Sequence, residues 1–434
     1  MYRFRHLAAA FASSTVLLTM SVTPAHAAGG SFVALGDSYS SGTGTRSYLN
    51  DGTSCQRSVY AYPSLIASSK GLALNFRACS GATIADVSKL QLNALGTGTA
   101  YVSVTAGGND ASFASVLTEC AKPAWASNCN GAIDRAESII KNTVPGRLVT
   151  LYAGIRSRAP QARVVAAGYP RVFNGEDCNL LTWFSPAEET RLNQTSDLLN
   201  TKIATAAASA GFGFSNPTGV FVGHAVCDTP EWLNGLSSPT GESYHPNRLG
   251  HSSGYSPLVS TALIGSPVPV SALTQARAAD SSRRLAAQQR SYAAQDRAIR
   301  PKPFRAPDLS SPQIVRAAAR AGVDLSSRAS IDAADRRYAA QQARARHEDD
   351  GSPVRGAGQR ARREGARAGD GLGLAPRTPV GTETEHRHGR DRAGRDGPDG
   401  DGGPKERLAP ADEVERERRQ GHPRDQQPDL GPPR

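Results

Sequence analysis

The 434-residue chain reads as an α/β protein: a three-layer α/β/α arrangement around a central parallel sheet, followed by a helical and then disordered tail. Three observations carry that reading. Short apolar runs end abruptly at glycine, and stretches with helical spacing separate them. Apolar residues also crowd into the first two thirds of the chain, while the remainder is dominated by Ala, Arg, Gln, Gly, Pro, Asp and Glu. Strands alternating with helices give a parallel sheet covered on both faces. In such sheets ligands collect beyond the carboxyl ends of the strands.

Phe32-Val33-Ala34-Leu35, stopping at Gly36, has the length and continuity of a buried strand. The same holds for Leu72–Phe76, for Tyr101–Thr105 ahead of Gly107-Gly108, and for Arg163–Ala167 ahead of Gly168. Each is expected as a central strand. Helices are expected over 59–69, 139–158 and 185–210. In the last, Pro186 suits a first turn, and Leu192, Leu198, Leu199 and Ile203 mark an apolar stripe.

At the amino end, Arg3 and Arg5 precede an apolar run over 7–22, and Ala25-His26-Ala27 has the small-x-small form of a signal-peptidase site. Residues 1–27 are therefore expected to be a signal peptide and the mature protein to be secreted. The run is short and broken by Ser13, Ser14, Thr15 and Thr19, which argues against a stable membrane span but leaves contact with a lipid interface open.

All six cysteines fall between Cys55 and Cys227. In an oxidising compartment they are expected as bridges, although sequence alone does not settle the connectivity. Proximity favours Cys55–Cys79, Cys120–Cys129 and Cys178–Cys227. No CxxC or clustered histidine accompanies them, so no metal site is expected.

The body capable of burying a core is expected over 28–265, and to fold and act without the rest of the chain. Residues 266–347 are rich in Ala, Arg and Gln; their thin apolar faces predict helices that are solvated or dependent on a partner rather than a packed unit. Residues 348–434 have the composition of a disordered segment, which is also that of a wrong frame of GC-rich DNA. The net charge of +11 owes much to arginines in that tail. It gives no reason to expect nucleic acid as a partner of the body.

The chemistry begins at Gly36-Asp37-Ser38, directly after the first strand. A serine hydroxyl is a weak nucleophile until a base takes its proton, and a sharp strand-to-loop turn can present it at the sheet edge. Alone, such a turn is usually only a turn. Gly81 in Cys79-Ser80-Gly81-Ala82-Thr83, Asn109 in Gly107-Gly108-Asn109-Asp110 and His245 in Tyr244-His245-Pro246-Asn247 come after it in order. Together the four blocks resemble the SGNH (GDSL) hydrolases over about residues 31–265, most closely the secreted actinomycete lipases and esterases with three disulfides.

That resemblance implies a flavodoxin-like sheet and catalysis without a cofactor. It also implies Ser38 as nucleophile and His245 as general base, with an oxyanion hole of the Ser38 N–H, the Gly81 N–H and the Asn109 side chain. Where many members carry an aspartate three residues before the histidine, this chain has Glu242. Two acceptors therefore compete to orient the ring, the Glu242 carboxylate and the Ser243 backbone carbonyl, with the carbonyl slightly preferred for its rigidity.

Asp37 and Asp110 read as turn or cap residues rather than catalytic ones. His224 and His251 are weaker rivals to His245. Tyr39, Phe113 and Val116 are candidates for an acyl channel. Hydrolysis of acyl esters, with lipids favoured, is the leading function and a monomer the expected state. A polysaccharide acetyl-esterase, a plant-polyester esterase and a catalytically silent surface-binding protein are the alternatives.

Overall fold

In the computed structural model, which describes residues 29–350, the four apolar runs form β1 (Gly29–Gly36), β2 (Leu72–Phe76), β3 (Tyr101–Thr105) and β4 (Arg163–Ala167). A short β5 (Gly213–Ser215) completes a parallel sheet of order β2-β1-β3-β4-β5. Chain order reverses at β1, so the carboxyl ends of β1 and its two neighbours flank the crevice where such sheets bind ligands. One expectation is corrected: β2 is not central but an edge strand, with Ala73 exposed between the buried Leu72 and Leu74. The expected signal peptide over 1–27, and the expected tail beyond Asp350, lie outside the described residues.

A single turn, α1 (Ser38–Ser41), follows β1. α2 (Tyr62–Lys70) carries Pro63 in its first turn, and α3 (Ile84–Asp86) is closed by a capping box from Thr83. The helix expected over 139–158 is two helices. After α4 (Phe113–Cys120) come α5 (Cys129–Asn142) and α6 (Val144–Arg158), separated at Thr143. Pro145 has no N–H to continue the ladder, which is why one helix cannot run through.

α7 (Pro186–Ser209) starts as expected. Ser185 accepts from the Glu188 N–H, while the Glu188 carboxylate accepts from the Ser185 N–H at 2.9 Å. α8 (Ser256–Ile264) packs with α2 on one side of the sheet, while α5, α6 and α7 pack together as a second layer. Phe32, Leu35, Val102 and Val165 fill the core between them. Disulfides join Cys55–Cys79, Cys120–Cys129 and Cys178–Cys227.

The segment after residue 265 departs from expectation. α9 (Ala272–Asp280) packs against α2, and α10 (Ser282–Arg290) covers β2. α11 (Ala293–Asp296) ends on a fully buried carboxylate. Leu285, Ile299 and Phe304 belong to the same core as the sheet. α12 (Pro312–Ala321) and α13 (Arg328–Asp350) build a satellite cluster in which Ile314 and Ile331 meet Trp125 and Trp183.

The helices thus pack against the body instead of standing free in solvent. Their apolar faces are thin, but polar pairing makes up the difference. Asp296 takes the Arg57 guanidinium at 2.6 Å and that of Arg77 at 3.0 Å, with all three side chains removed from water. Arg77 also lies over the Tyr292 ring, 3.8 Å from its centroid. Among the described residues no helix is long and apolar enough to cross a membrane.

Candidate active site

β1 can end where it does only because residue 36 is glycine. Its φ is 122°, and a Cβ there would lie 2.4 Å from the Thr105 carbonyl oxygen of β3. The Gln91 side chain completes the strand end, its Oε1 accepting from the Gly36 N–H at 2.7 Å and its Nε2 donating to the Gly36 carbonyl at 2.9 Å. Asp37 then caps α1. Its Oδ1 accepts from the Tyr39 N–H at 3.0 Å and the Thr105 hydroxyl at 2.7 Å, and its Oδ2 accepts from the Tyr169 hydroxyl at 2.5 Å. Burial raises this carboxyl to about 6 despite those donors. Asp37 therefore builds the turn on which Ser38 stands, as its sequence context suggests.

The histidine arrives from the far end of the body on a loop with its own scaffold. Asn234 exchanges backbone bonds with it, accepting from the Tyr244 N–H at 2.8 Å and donating to the His245 carbonyl at 2.9 Å. Tyr244 sits at φ 61°, an uncommon conformation for a bulky residue, and its carbonyl accepts from the Tyr39 hydroxyl at 2.8 Å. This places His245 Nε2 2.9 Å from Ser38 Oγ and Nδ1 2.9 Å from the Ser243 carbonyl oxygen. Of the two possible acceptors, it is the Ser243 carbonyl that lies within hydrogen-bonding distance of Nδ1. Glu242 is buried and turned towards Arg46, 3.9 Å away. Removal from water pulls the imidazole down to about 4, with the Ser243 bond partly opposing. At neutral pH the ring is uncharged and free to accept a proton.

Three groups bearing N–H donors line the same cavity. The Ser38 N–H opens α1, the Gly81 N–H follows β2, and neither donates to a protein acceptor among the described residues. The Asn109 amide donates one N–H to the Ala82 carbonyl at 3.0 Å, and its other N–H donates to no protein acceptor among the described residues. The loop with Gly81 is held in turn by the Cys55–Cys79 bridge and by the Ser80 N–H donating to the Cys55 carbonyl at 3.0 Å. Ser38, Gly81, Asn109 and His245 all line one cavity of about 330 Å³.

Residues 34–252 match the GDSL-like Lipase/Acylhydrolase family. The chain belongs to that family. It is thereby a carboxylic ester hydrolase. It is 41% identical over 259 residues to "Lipase 1" of Streptomyces coelicolor, covering 59% of this chain and 94% of the relative. The crystal structure of an extracellular lipase from Streptomyces rimosus is 41% identical, with a TM-score of 0.50, and covers 54% of this chain and 99% of that one. That of phospholipase A1 from Streptomyces albidoflavus NA297 is 40% identical, with a TM-score of 0.51, and covers 54% of this chain and all of its own, 100%.

In this GDSL hydrolase the candidate channel residues Tyr39, Phe113 and Val116 do line the cavity. Ile140, Leu192 and Leu199 join them. Asp110 does not cap its own helix. Its Oδ2 accepts from the Ile84 N–H of α3 at 2.8 Å and its Oδ1 accepts from Arg147, also at 2.8 Å, tying the Asn109 loop to the Gly81 loop.

The rival histidines are engaged elsewhere: His251 is fully buried with Nδ1 facing the Tyr62 N–H, and His224 stacks on Trp232. Gln91 and Tyr169 escaped notice in the sequence. Neither lies in a motif block, and only the fold brings them to Gly36 and Asp37.

Proposed function

We propose that this protein is a secreted serine esterase with the character of a lipase, carrying its substrate's acyl group on Ser38. The observation that carries this reading is the relay from Ser38 Oγ through His245 to the Ser243 carbonyl at the mouth of an apolar cavity. Ser38 Oγ attacks the ester carbonyl as His245 Nε2 takes its proton. The Ser243 carbonyl keeps the remaining ring proton on Nδ1 and stabilises the imidazolium. The negative charge on the tetrahedral oxygen falls to the Ser38 N–H, the Gly81 N–H and the Asn109 amide.

His245 then returns its proton to the departing alcohol. Water repeats the sequence in reverse to free the acid. Backbone donors on α1 and beside the Cys55–Cys79 bridge need no reorganisation during this cycle, the condition under which such stabilisation is largest. Secretion rests on the leader-like residues 1–27 and on the three bridges, which suit an oxidising compartment.

A lipid substrate is favoured over an acetylated polysaccharide by the apolar wall of Phe113, Val116, Ile140, Leu192 and Leu199, which an acetyl group would leave unfilled. The relative named as a phospholipase A1 is consistent with that preference. On p-nitrophenyl esters of increasing chain length, kcat/KM should rise from acetyl to medium chains. Each buried methylene adds about 0.8 kcal/mol at most, so several give a gain of tenfold or more. A profile that peaks at acetyl would assign the enzyme to the acetyl-esterases instead.

A further inference from the structure

The extension does more than pack. Between Ile299 and Phe304, which are 1% and 2% exposed, the exposed residues Pro301, Lys302 and Pro303 cross the edge of the catalytic cavity and line it. At one end Pro301 lies against Gly81: a Cβ on Gly81 would fall 2.4 Å from the Pro301 Cα. At the other, Phe304 packs edge-on against Tyr244, the neighbour of His245, with ring centroids 4.9 Å apart. The Arg305 N–H then donates to the Thr118 hydroxyl of α4 at 3.1 Å. The strap is thus anchored on both sides of the reacting groups. The family match stops at residue 252, and the two solved Streptomyces relatives named above are each matched over only 54% of this chain, a share too small to hold both body and extension.

The cavity lining is of two kinds. Phe113, Val116, Ile140, Leu192 and Leu199 are apolar and suit the acyl chain. Ser54, Gln56 and Ser80 are polar, and Gly81 lies against Pro301 of the strap, which leaves these residues for the alcohol portion. Apart from His245, Lys302 is the one basic residue lining the cavity among the described residues. The one carboxylate, Asp37, is occupied beneath Ser38 by Tyr39, Thr105 and Tyr169.

We propose that Lys302, carried over the cavity by this strap, determines specificity for the alcohol portion of the substrate, favouring esters whose alcohol bears an anionic group. This rests on the reading of Ser38 as the acyl carrier. An ammonium at the rim contributes a modest, salt-screened attraction, and reversing its sign doubles the effect.

The test uses the full-length protein and two octanoate esters, one of neutral 4-nitrophenol and one of 4-hydroxybenzenesulfonate. Lys302→Glu should lower the ratio of kcat/KM for the anionic over the neutral ester by about five- to tenfold at low salt. Lys302→Gln should lower it by less. Both differences should shrink in ~1 M salt, where the screening length falls to about 3 Å. A ratio that stays within twofold of the parent at low salt, with both esters still hydrolysed, would overturn the role of Lys302 and leave the serine mechanism standing. A parent that hydrolyses neither ester would overturn both.

Discussion

Ser38→Ala is expected to reduce kcat on an activated ester by roughly 10⁴-fold or more while leaving the fold intact. Among the described residues the Ser38 hydroxyl is bonded only to His245, at 2.9 Å, so alanine would remove the proposed nucleophile and little else. The turn survives because its contacts run through Asp37, which caps α1 and meets Thr105 and Tyr169. His245→Ala should cost about as much, and the double variant little more, since the two act as a unit.

Asn109→Ala, which would remove one of the three donors proposed for the oxyanion, should cost roughly 10²–10³ in kcat with little change in KM. Steady-state rates on the four purified proteins, with circular dichroism as a check on folding, decide the matter. Residual activity within tenfold of the parent in Ser38→Ala would mean that another group attacks the ester.

Asp296→Ala is expected to destabilise the protein by about 3–5 kcal/mol, because it strips a buried carboxylate from two buried guanidinium groups. Arg57 would keep Asp51, at 2.7 Å, but Arg77 would be left with Gln289, the Leu90 carbonyl and the Tyr292 ring. Urea unfolding measures the difference. A loss below about 1 kcal/mol would indicate that water or another acceptor replaces the carboxylate. The same geometry bears on cutting the chain at 265, which the sequence suggests is harmless. Such a cut removes Asp296, Leu285, Ile299 and Phe304 together and strips both arginines of the carboxylate they share.

The contrast between body and extension shows where sequence reading holds. β1, β3 and β4 were legible because a strand buried on both faces must be apolar throughout, and each run ends at or just before glycine. β5 was not, since Gly213-Phe214-Ser215 is too short to form a pattern. The break between α5 and α6 was written in Pro145 but masked by the apolar periodicity continuing on either side.

In the site, Ser38, Gly81, Asn109 and His245 stand in recognisable blocks because each needs a fixed local backbone. Asp37 was legible too, as an Asx-type residue beside a tight turn. Gln91, Tyr169 and Pro301 could not be found that way. Pro301 meets Gly81 across 220 positions of sequence, and nothing near either residue encodes the meeting. The extension misled for a related reason: its helices look too polar to bury, and the arginines that donate to Asp296 lie in loops more than 200 residues earlier.

The central claim is that the hydroxyl of Ser38, activated by His245, forms the bond to the acyl group. Treatment of the full-length protein with a fluorophosphonate, followed by peptide mass spectrometry, tests it most directly. The adduct should appear on the peptide containing Ser38, in step with loss of activity, and should be absent from Ser38→Ala and strongly slowed in His245→Ala. Inactivation with the adduct on a different residue, or at an unchanged rate in His245→Ala, would contradict the account.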